Sequence, residues 1–496
     1  MLKILLLCPL FGALLLAFLP VRKANLLRHA ALWVSASTLA LSCLVLLQTV
    51  GSAGLQGSWP MAALTGLDAW VERIALANSL ALGVDGFSLP LVVLTCLLSF
   101  VALLAAGEIS HAQHDVKLFF VLMLCLQSAV LGVFTARDWL LFYVCWELTL
   151  IPGFFLLDRM GGAHRQRAAL NFVLYTMGGS VFMLVALLLL YDASPGHSFA
   201  MADLSAGGAR LPLSGQILVF TGLLIGFGVK MPIFPLHAWV PLADVEAPTP
   251  VTILFAGVLL KMGAYGLLRA AETLPAAVLA MQDVLALLAV LTLIYGAALA
   301  WRQSDLKKMF AYASISHMGL VLLGIASLNA MGLRGAMLQM LAHGLVAAML
   351  FLLVGALEVR AHTRDISACA RLAAGVPGFA LSLIFACLAM IGVPGSAGFV
   401  AELHVLIGGF TRWGAALLVL SLALLIGAAY ALRVVRQAWS GYSAAQNAPS
   451  LRALSLGERW ALCLLAAPLL WIGLFPAPVL ALIDPAVLQL ARQWGH

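Results

Sequence analysis

Four charged side chains lie inside apolar segments of the sequence, or at breaks in them. They are Glu147, Lys230, Lys261 and Glu402. A charged side chain near the centre of a bilayer costs roughly 2.5–3.5 kcal/mol on insertion scales. The fold must offset roughly 10 kcal/mol or more for the four groups by pairing, hydration or neutralisation. Since a protein can span a bilayer without such charges, they predict an ion path, and protons are the favoured ion.

Glu147 and Lys230 are predicted to interact. Glu147 lies about 13 Å into its predicted span, since each helical residue rises 1.5 Å. A carboxylate at that depth must find a cation or take up a proton. Lys230, at the end of an apolar run, is the predicted partner, and movement of the carboxylate would switch Lys230 between holding and releasing a proton. The alternative is a static ion pair that joins two helices.

Lys261 and Glu402 extend this set along the chain. Lys261 lies well inside its span, so a hydrated interior path is favoured over exposure of its ammonium at the membrane surface. Glu402 follows a Pro-Gly break and is the candidate terminal site of the second half of the chain.

Three histidines are further candidates. His317 and His343 are predicted near the middle of two consecutive spans, between charged centres. An imidazole can relay a proton at physiological pH. A lone buried histidine is often only a hydrogen-bonded packing residue, but two on adjacent spans favour a relay. His237 follows a break and is consistent with either a path inlet or an interfacial polar residue.

The composition is that of a polytopic membrane protein. The chain has 496 residues, of which 64% are hydrophobic and 9% charged, whereas about a quarter are charged in a soluble domain. The net charge of +7 is attributed to basic loops at an anionic membrane surface. The eight cysteines form no CxxC motif, and no Gly-rich nucleotide loop follows a strand. We therefore expect no metal and no cofactor in this chain.

An all-α fold with about 14 transmembrane helices is predicted. The spans are 3–20, 29–50, 87–107, 117–135, 138–157, 169–191, 216–238, 249–270, 276–299, 308–328, 334–357, 378–408, 412–438 and 459–480. Loops after odd-numbered spans hold 17 Lys and Arg, and the opposite side holds 8. The positive-inside rule then predicts both termini on the non-cytoplasmic face.

Two spans are interrupted in the same way. Residues 216–230 form an apolar run broken by residues 231–235, and residues 378–392 form one broken by residues 393–396. Proline removes a backbone donor, so each span is predicted to be a discontinuous helix. The spacing suggests an internal five-helix repeat, and paired broken helices indicate a transport path. Two coincidental proline kinks are the alternative.

Four regions follow from this pattern. They are an N-terminal group of three spans, two five-helix, proton-translocating halves, and a C-terminal helix with a short tail: 1–116, 117–270, 271–440 and 441–496.

Several motifs resemble the antiporter-like membrane subunits of respiratory complex I. They extend over most of the chain, from about residue 82 to residue 436. The motifs are Trp146-Glu-Leu-Thr-Leu-Ile-Pro152, Val229-Lys-Met-Pro232, Pro235-Leu-His-Ala-Trp239, Ala247-Pro-Thr249, Leu260-Lys261, Ala264-Tyr-Gly-Leu-Leu-Arg269, Asp305-Leu-Lys-Lys308, Ala311-Tyr-Ala-Ser-Ile-Ser-His-Met-Gly319 and His362-Thr-Arg-Asp365.

The resemblance implies a specific fold and set of roles. It implies fourteen helices with two inverted five-helix repeats and a central charged axis that pumps protons. Glu147 and Lys230 match the coupling pair, Lys261 the connecting lysine and Glu402 the exit-side acid, with His317 and His343 on the axis. Glutamate at the second break, where two of the three antiporter-like subunits usually carry lysine, marks the third.

The resemblance also implies the setting of the protein. The expected partners are other complex I membrane subunits, especially two sister antiporter-like subunits, in a bacterial inner membrane. Flavin, iron–sulfur clusters and quinone are expected in partner subunits, with electrons passing from NADH to quinone there. A subunit of a multisubunit Na⁺/H⁺ antiporter or of a membrane-bound hydrogenase is the alternative. One departure is clear, because the family usually reads Leu-Pro-Asp-Ala-His where this chain has Val240-Pro-Leu-Ala-Asp244.

Overall fold

The protein is a bundle of helices in the computed structural model, which describes residues 1–19, 24–52, 81–107, 115–443 and 452–495. Within these ranges, twelve helical segments are long and apolar enough to cross a membrane, and Leu2–Phe18 and Pro377–Met390 are shorter apolar helices. Each of the fourteen predicted spans overlaps a helix. The prediction of an all-α polytopic membrane protein is confirmed. Arg22, Lys23 and Arg73, which the loop-charge argument used, lie outside the described residues.

The N-terminal helices pack on the first helix of the following half. These four helices are α1 (Leu2–Phe18), α2 (Ala24–Ser52), α3 (Ser88–Ala105) and α4 (Val116–Thr135). The hydroxyl of Ser128 in α4 donates to the carbonyl of Leu6 in α1, at 2.7 Å. This contact gives the Ser128 hydroxyl a hydrogen-bond acceptor, which the apolar core of a bilayer does not offer.

The next helices carry Glu147, Lys230 and Lys261. They are α5 (Trp139–Leu148), α6 (Leu150–Met160), α7 (Arg165–Ala193), α8 (Met201–Gly208), α9 (Leu213–Lys230), α10 (Trp239–Glu246), α11 (Thr249–Leu254), a π-helical turn (Phe255–Leu259) and α12 (Leu260–Thr273). Asp138 accepts a hydrogen bond from the backbone N–H of Leu141 and caps α5. The break between α9 and α10 contains Pro232 and Pro235, as predicted, because proline cannot continue the hydrogen-bond ladder.

The following helices carry His317, His343 and Glu402. They are α13 (Pro275–Ala280), α14 (Gln282–Arg302), α15 (Leu306–Ala326), α16 (Ala330–Ala361), α17 (Ala368–Gly375), α18 (Pro377–Met390), α19 (Ala397–Trp413), a 3₁₀ turn (Gly414–Leu418) and α20 (Val419–Ser443). The predicted second break is also present. Gly392 and Gly395 adopt φ values of +67° and +95° there, which side chains other than glycine rarely adopt.

The C-terminal part departs from the predicted span 459–480. Helix α21 (Leu456–Leu474) begins at a capping box formed by Ser455 and Glu458, and it ends at Phe475. A further helix, α22 (Ala477–Arg492), begins after Pro476 and occupies most of the predicted tail. Pro476 explains the break, because it disfavours helical backbone at Phe475. The domain boundaries and the inverted repeat remain predictions.

Two helical segments form the centre of the bundle. The segment Thr249–Thr273 and helix α16 are the most deeply buried spans. They cross at Gly257 and Gly344, where a Cβ atom on Gly344 would lie 2.9 Å from the carbonyl oxygen of Gly257. Because no side chain separates the two backbones at this crossing, neighbouring residues of the two helices can touch. Lys261 and His343 are such neighbours.

An ionic cluster joins three segments at one end of the bundle. Asp85 Oδ2 lies 2.6 Å from Arg269 Nη2 and 3.0 Å from Arg137 Nη1, and Arg269 also binds Glu272 at 2.7 Å. Burial alone would raise the pKa of Asp85, but Arg269 and Arg137 outweigh it and lower the pKa to about 2. The cluster therefore fastens the chain before α3 to the start of α5 and the end of α12.

Candidate functional site

Lys230 lies at the end of α9, where the first broken helix stops. Its side chain is buried, with 1% exposure. The Nζ atom donates to the hydroxyl of Thr149 at 2.8 Å and to the carbonyl of Trp146 at 3.3 Å. It also lies 4.2 Å from the centroid of the Trp146 ring, within the range of a cation–π interaction. The α5–α6 junction thus forms a small polar binding site for the Lys230 ammonium.

Glu147 lies beside this binding site but does not bind the Lys230 ammonium directly. Neither carboxylate oxygen is within 4.0 Å of a basic nitrogen of the described residues, and Oε1 has no hydrogen-bond partner there. Glu147 lies in the chain between Trp146 and Thr149, the two residues that bind the Lys230 ammonium. Glu147 and this lysine are therefore close in space, but Thr149 and Trp146, and not Glu147, bind the ammonium. Sequence analysis did not single out Thr149, although a threonine directly after an intramembrane Glu-Leu pair was the available signal.

Lys261 lies at the centre of the bundle with no exposed surface. The π-helical turn Phe255–Leu259 precedes it, and its Nζ lies 2.6 Å from the carbonyl oxygen of Ala256. A π turn leaves carbonyl groups without the usual i→i+4 donor, which makes one available to a side chain. The same Nζ lies 2.6 Å from Nδ1 of His343. The predicted connecting lysine is therefore in direct contact with one of the predicted relay histidines.

His317, the other predicted relay histidine, lies next to His343. The two imidazole rings have centroids 5.5 Å apart. Gln339, one turn before His343 on α16, places its side-chain nitrogen 3.0 Å from Nδ1 of His317 and orients that ring. Gln339 was missed by sequence analysis, although a buried amide in an apolar span is itself a signal of a hydrogen-bonded partner.

A small cavity joins these histidines to Glu402. His317, Gln339, His343 and Glu402 all line it, and its volume of ≈ 10 Å³ accommodates about one water molecule. Glu402 is 9% exposed and lies against Gly392, where a Cβ atom would be 2.5 Å from its Oε2. The second break thus makes room for the carboxylate. One water in this cavity would complete a hydrogen-bonded route from Lys261 to Glu402.

His237 does not share a contact with these groups. Its ring stacks on Phe234 at 5.9 Å between centroids and meets Tyr295 edge-on at 5.0 Å. The side chain is 6% exposed, and Nδ1 has no hydrogen-bond partner among the described residues. The structure therefore places His237 in an aromatic pocket after the first break, and its suggested role as a path inlet remains a prediction.

This fold and arrangement of charges match a known protein family. The transmembrane family described as "NADH:quinone oxidoreductase/Mrp antiporter" matches residues 136–427, and "NADH-ubiquinone oxidoreductase chain 4, amino terminus" matches residues 61–133. The chain belongs to this NADH:quinone oxidoreductase/Mrp antiporter family. The predicted resemblance to antiporter-like complex I subunits is confirmed.

Curated relatives are similar over almost the whole chain. The chain 4 protein of NAD(P)H-quinone oxidoreductase from Thermosynechococcus vestitus is 38% identical, covering 99% of this chain and 92% of its own length. A chain 4 protein from Synechococcus elongatus is 40% identical, and the match covers 98% of this chain and 90% of that protein's length.

Solved structures show the same fold. A chain of respiratory complex I from Thermus thermophilus superposes with a TM-score of 0.85 at 30% identity and full coverage of both chains. A chain of an archaeal membrane-bound sulfane sulfur reductase superposes with a TM-score of 0.83 over 99% of each chain. At 22% identity, this match indicates a shared fold alone.

Proposed function

We propose that this chain is a proton-translocating membrane subunit of an NADH:quinone oxidoreductase of the complex I type. The observation that carries the proposal is the buried sequence of contacts from Lys261 through His343 and His317 to the cavity of Glu402. Each of these groups can hold and release a proton, and the surrounding helices exclude bulk water. Relatives named as chain 4 of such enzymes support the same conclusion.

Glu147 and Lys230, in the first half of the chain, control proton movement along this path. Lys230 is held by Thr149 and Trp146, which flank Glu147 in the chain. A movement of Glu147 toward Lys230 would favour the ammonium form, and a movement away would favour release of its proton. A structural change arriving from a neighbouring subunit would in this way alternate the protonation of Lys230.

The setting follows from the same family. The other complex I membrane subunits, above all two sister antiporter-like subunits, are the proposed partners. Flavin, iron–sulfur clusters and quinone are proposed to lie in partner subunits, with no cofactor or metal in this chain. The proposed location is a bacterial inner membrane with both termini in the periplasm. An accessibility tag at Arg165 is expected to report the cytoplasm and one at the C-terminus the opposite side.

Proton pumping in membrane vesicles tests this function. Glu147→Ala, and Lys230→Ala somewhat less severely, are expected to abolish or greatly reduce NADH-driven pumping and the linked oxidase activity while the complex still assembles. Asp192→Ala, at an exposed position, is the control. Normal pumping by the Glu147→Ala complex would contradict the proposal. Purification with small membrane proteins alone, without flavin and iron–sulfur subunits, would favour an antiporter instead.

A further inference from the structure

An open groove lies on the outer face of helices α5, α6 and α7. Its volume is ≈ 530 Å³, within the range of roughly 300–1,000 Å³ that is usual for ligand pockets. The lining side chains are apolar apart from Tyr143 and Glu147, which lie at its α5 end. Ile151 on α6 and Leu170 on α7 are 56% and 55% exposed there. A groove with such walls in a membrane protein requires an apolar occupant.

The length of the groove matches the depth of one membrane leaflet. It extends along the helices from Val144 in α5 to Phe155 in α6. These positions are 11 residues apart (155 minus 144), a rise of roughly 16 Å along a helix. The hydrocarbon core of a bilayer is about 30 Å thick, so one leaflet accounts for about half of it. The positive-inside rule places the loop between α6 and α7 on the cytoplasmic face, so the groove faces the inner leaflet.

Each wall of the groove ends in an arginine at the cytoplasmic side. On α6, Ile151, Phe155 and Arg159 follow one another at intervals of four residues and so lie on one face of the helix. On α7, Arg167 precedes Leu170 by three residues and therefore lies on the face that lines the groove. Because a short loop connects the end of α6 to the start of α7, both arginines lie at the same end of the groove.

Both guanidinium groups are available to an anion. Arg159 is 60% exposed, and its ion-pair contact among the described residues is a long one, 3.9 Å from Nε to Asp158 Oδ2. Arg167 is exposed, and no carboxylate oxygen of the described residues lies within 4.0 Å of its side-chain nitrogens. The carboxylate of Glu246, close to this loop, accepts the backbone N–H of His164 at 2.9 Å instead. Guanidinium groups bind phosphate oxygens well, and often through two hydrogen bonds.

We propose that this groove binds an anionic phospholipid of the inner leaflet. The phosphate lies between Arg159 and Arg167, and one acyl chain follows the groove between α6 and α7, with its end near Glu147. Charge complementarity favours this occupant, because an anionic lipid supplies in one molecule the apolar chain for the walls and the negative charge for the two arginines. A helix of a partner subunit would cover the apolar walls but would leave the arginines to be paired separately. The site is separate from the proposed proton path and does not depend on it.

Photo-crosslinking in the intact complex tests this site. The probe is phosphatidylglycerol with a diazirine near the end of one acyl chain, and the complex is reconstituted in lipid nanodiscs that contain it. Mass spectrometry of the crosslinked peptides is expected to find the label on groove residues such as Ile151 and Leu170. The matching phosphatidylcholine probe, which has no net charge, is expected to label the same residues at least fivefold less.

Substitution of the two arginines separates a lipid-binding site from a lipid-exposed surface. A basic residue close to an anionic membrane surface strengthens binding roughly fivefold, so Arg159→Gln/Arg167→Gln should lower labelling by phosphatidylglycerol on the order of 25-fold at limiting probe. Arg165→Gln is the matched control, because Arg165 is exposed in the same turn of α7 but lies about 200° around the helix from Arg167. Ile151→Trp fills the groove and keeps both arginines, so it tests the site should the double variant fail to assemble.

Three outcomes decide the proposal. Labelling by phosphatidylglycerol that requires Arg159 and Arg167, but not Arg165, supports the site, as does loss of labelling in Ile151→Trp. Equal labelling by the two probes, unchanged in the double variant, would show an unselective lipid surface and overturn it. Absence of label from the groove in the intact complex would show that a partner subunit covers these helices, and it would overturn the proposal as well.

Discussion

Lys261 Nζ and His343 Nδ1 lie 2.6 Å apart at the centre of the bundle, where α12 and α16 bring their side chains together. At this distance one proton lies between two nitrogens, so the lysine can donate only while Nδ1 carries a lone pair. Once Nδ1 of His343 carries a proton, Lys261 can take the acceptor role only as a neutral amine. The contact therefore couples the protonation of the two residues, as a step of the proposed path requires.

His343→Ala is expected to interrupt the path at this step. Among the described residues, His343 is the side chain to which Lys261 is hydrogen-bonded, and its removal leaves the Ala256 carbonyl as acceptor. NADH-driven pumping in vesicles should fall at least tenfold, since a positioned general acid or base typically contributes about 10²- to 10⁴-fold. His404→Ala is the control, because His404 binds the Val400 carbonyl of its own helix. Equal pumping by both variants would exclude a relay through His343.

Thr149→Val is expected to weaken the binding site of the Lys230 ammonium. It removes the hydroxyl that binds the ammonium at 2.8 Å with almost no change in volume. Hydrogen bonds to charged groups contribute about 1.5–3 kcal/mol, so a loss of pumping of roughly tenfold is expected. Thr149→Ser should remain close to wild type. Thr95→Val, which removes a buried hydroxyl bound to Leu91 within its own helix, should have no such effect on pumping.

Substitutions of Glu402 are expected to separate a proton site from a structural acid. Asp should keep part of the pumping activity, because the titrating group survives in the cavity shared with His317 and His343. Gln should lose much of it, since an amide cannot release a proton in this range. Lys is expected to retain some activity, because sister subunits usually carry lysine at this break. Equal, near-native rates for Gln and Asp would show that Glu402 only supports the broken helix.

The Asp85 cluster should make stability depend on pH in the acid range. The pKa of Asp85 is lowered from 3.8 to about 2, so its carboxylate stabilises the folded state above about pH 4. That contribution, about 2 kcal/mol, is lost as the pH falls toward 2. Asp85→Asn should therefore lower the unfolding temperature of the detergent-solubilised protein at pH 7 more than at pH 3. Asp192→Asn, at an exposed site, should show no comparable difference.

The sequence by itself determined which residues bear the charges and where the helices break. A charge inside an apolar run is visible without any structure, because the cost of burying it depends only on the lipid around the run. Proline likewise acts on its own helix, so the breaks were predicted from local chemistry after Lys230 and after Gly392, and the second helix ends two residues earlier, at Met390. The end of α21 at Phe475 was missed because one proline between two apolar runs does not show whether the helix bends or stops.

Only the tertiary structure decided which of these groups meet. Lys261 reaches His343 because Gly257 and Gly344 let two backbones approach, and a π turn frees a carbonyl beside it. Thr149 holds Lys230 from 81 residues away in sequence. Contacts of this kind depend on how separate helices cross, and no periodicity within one segment records that geometry.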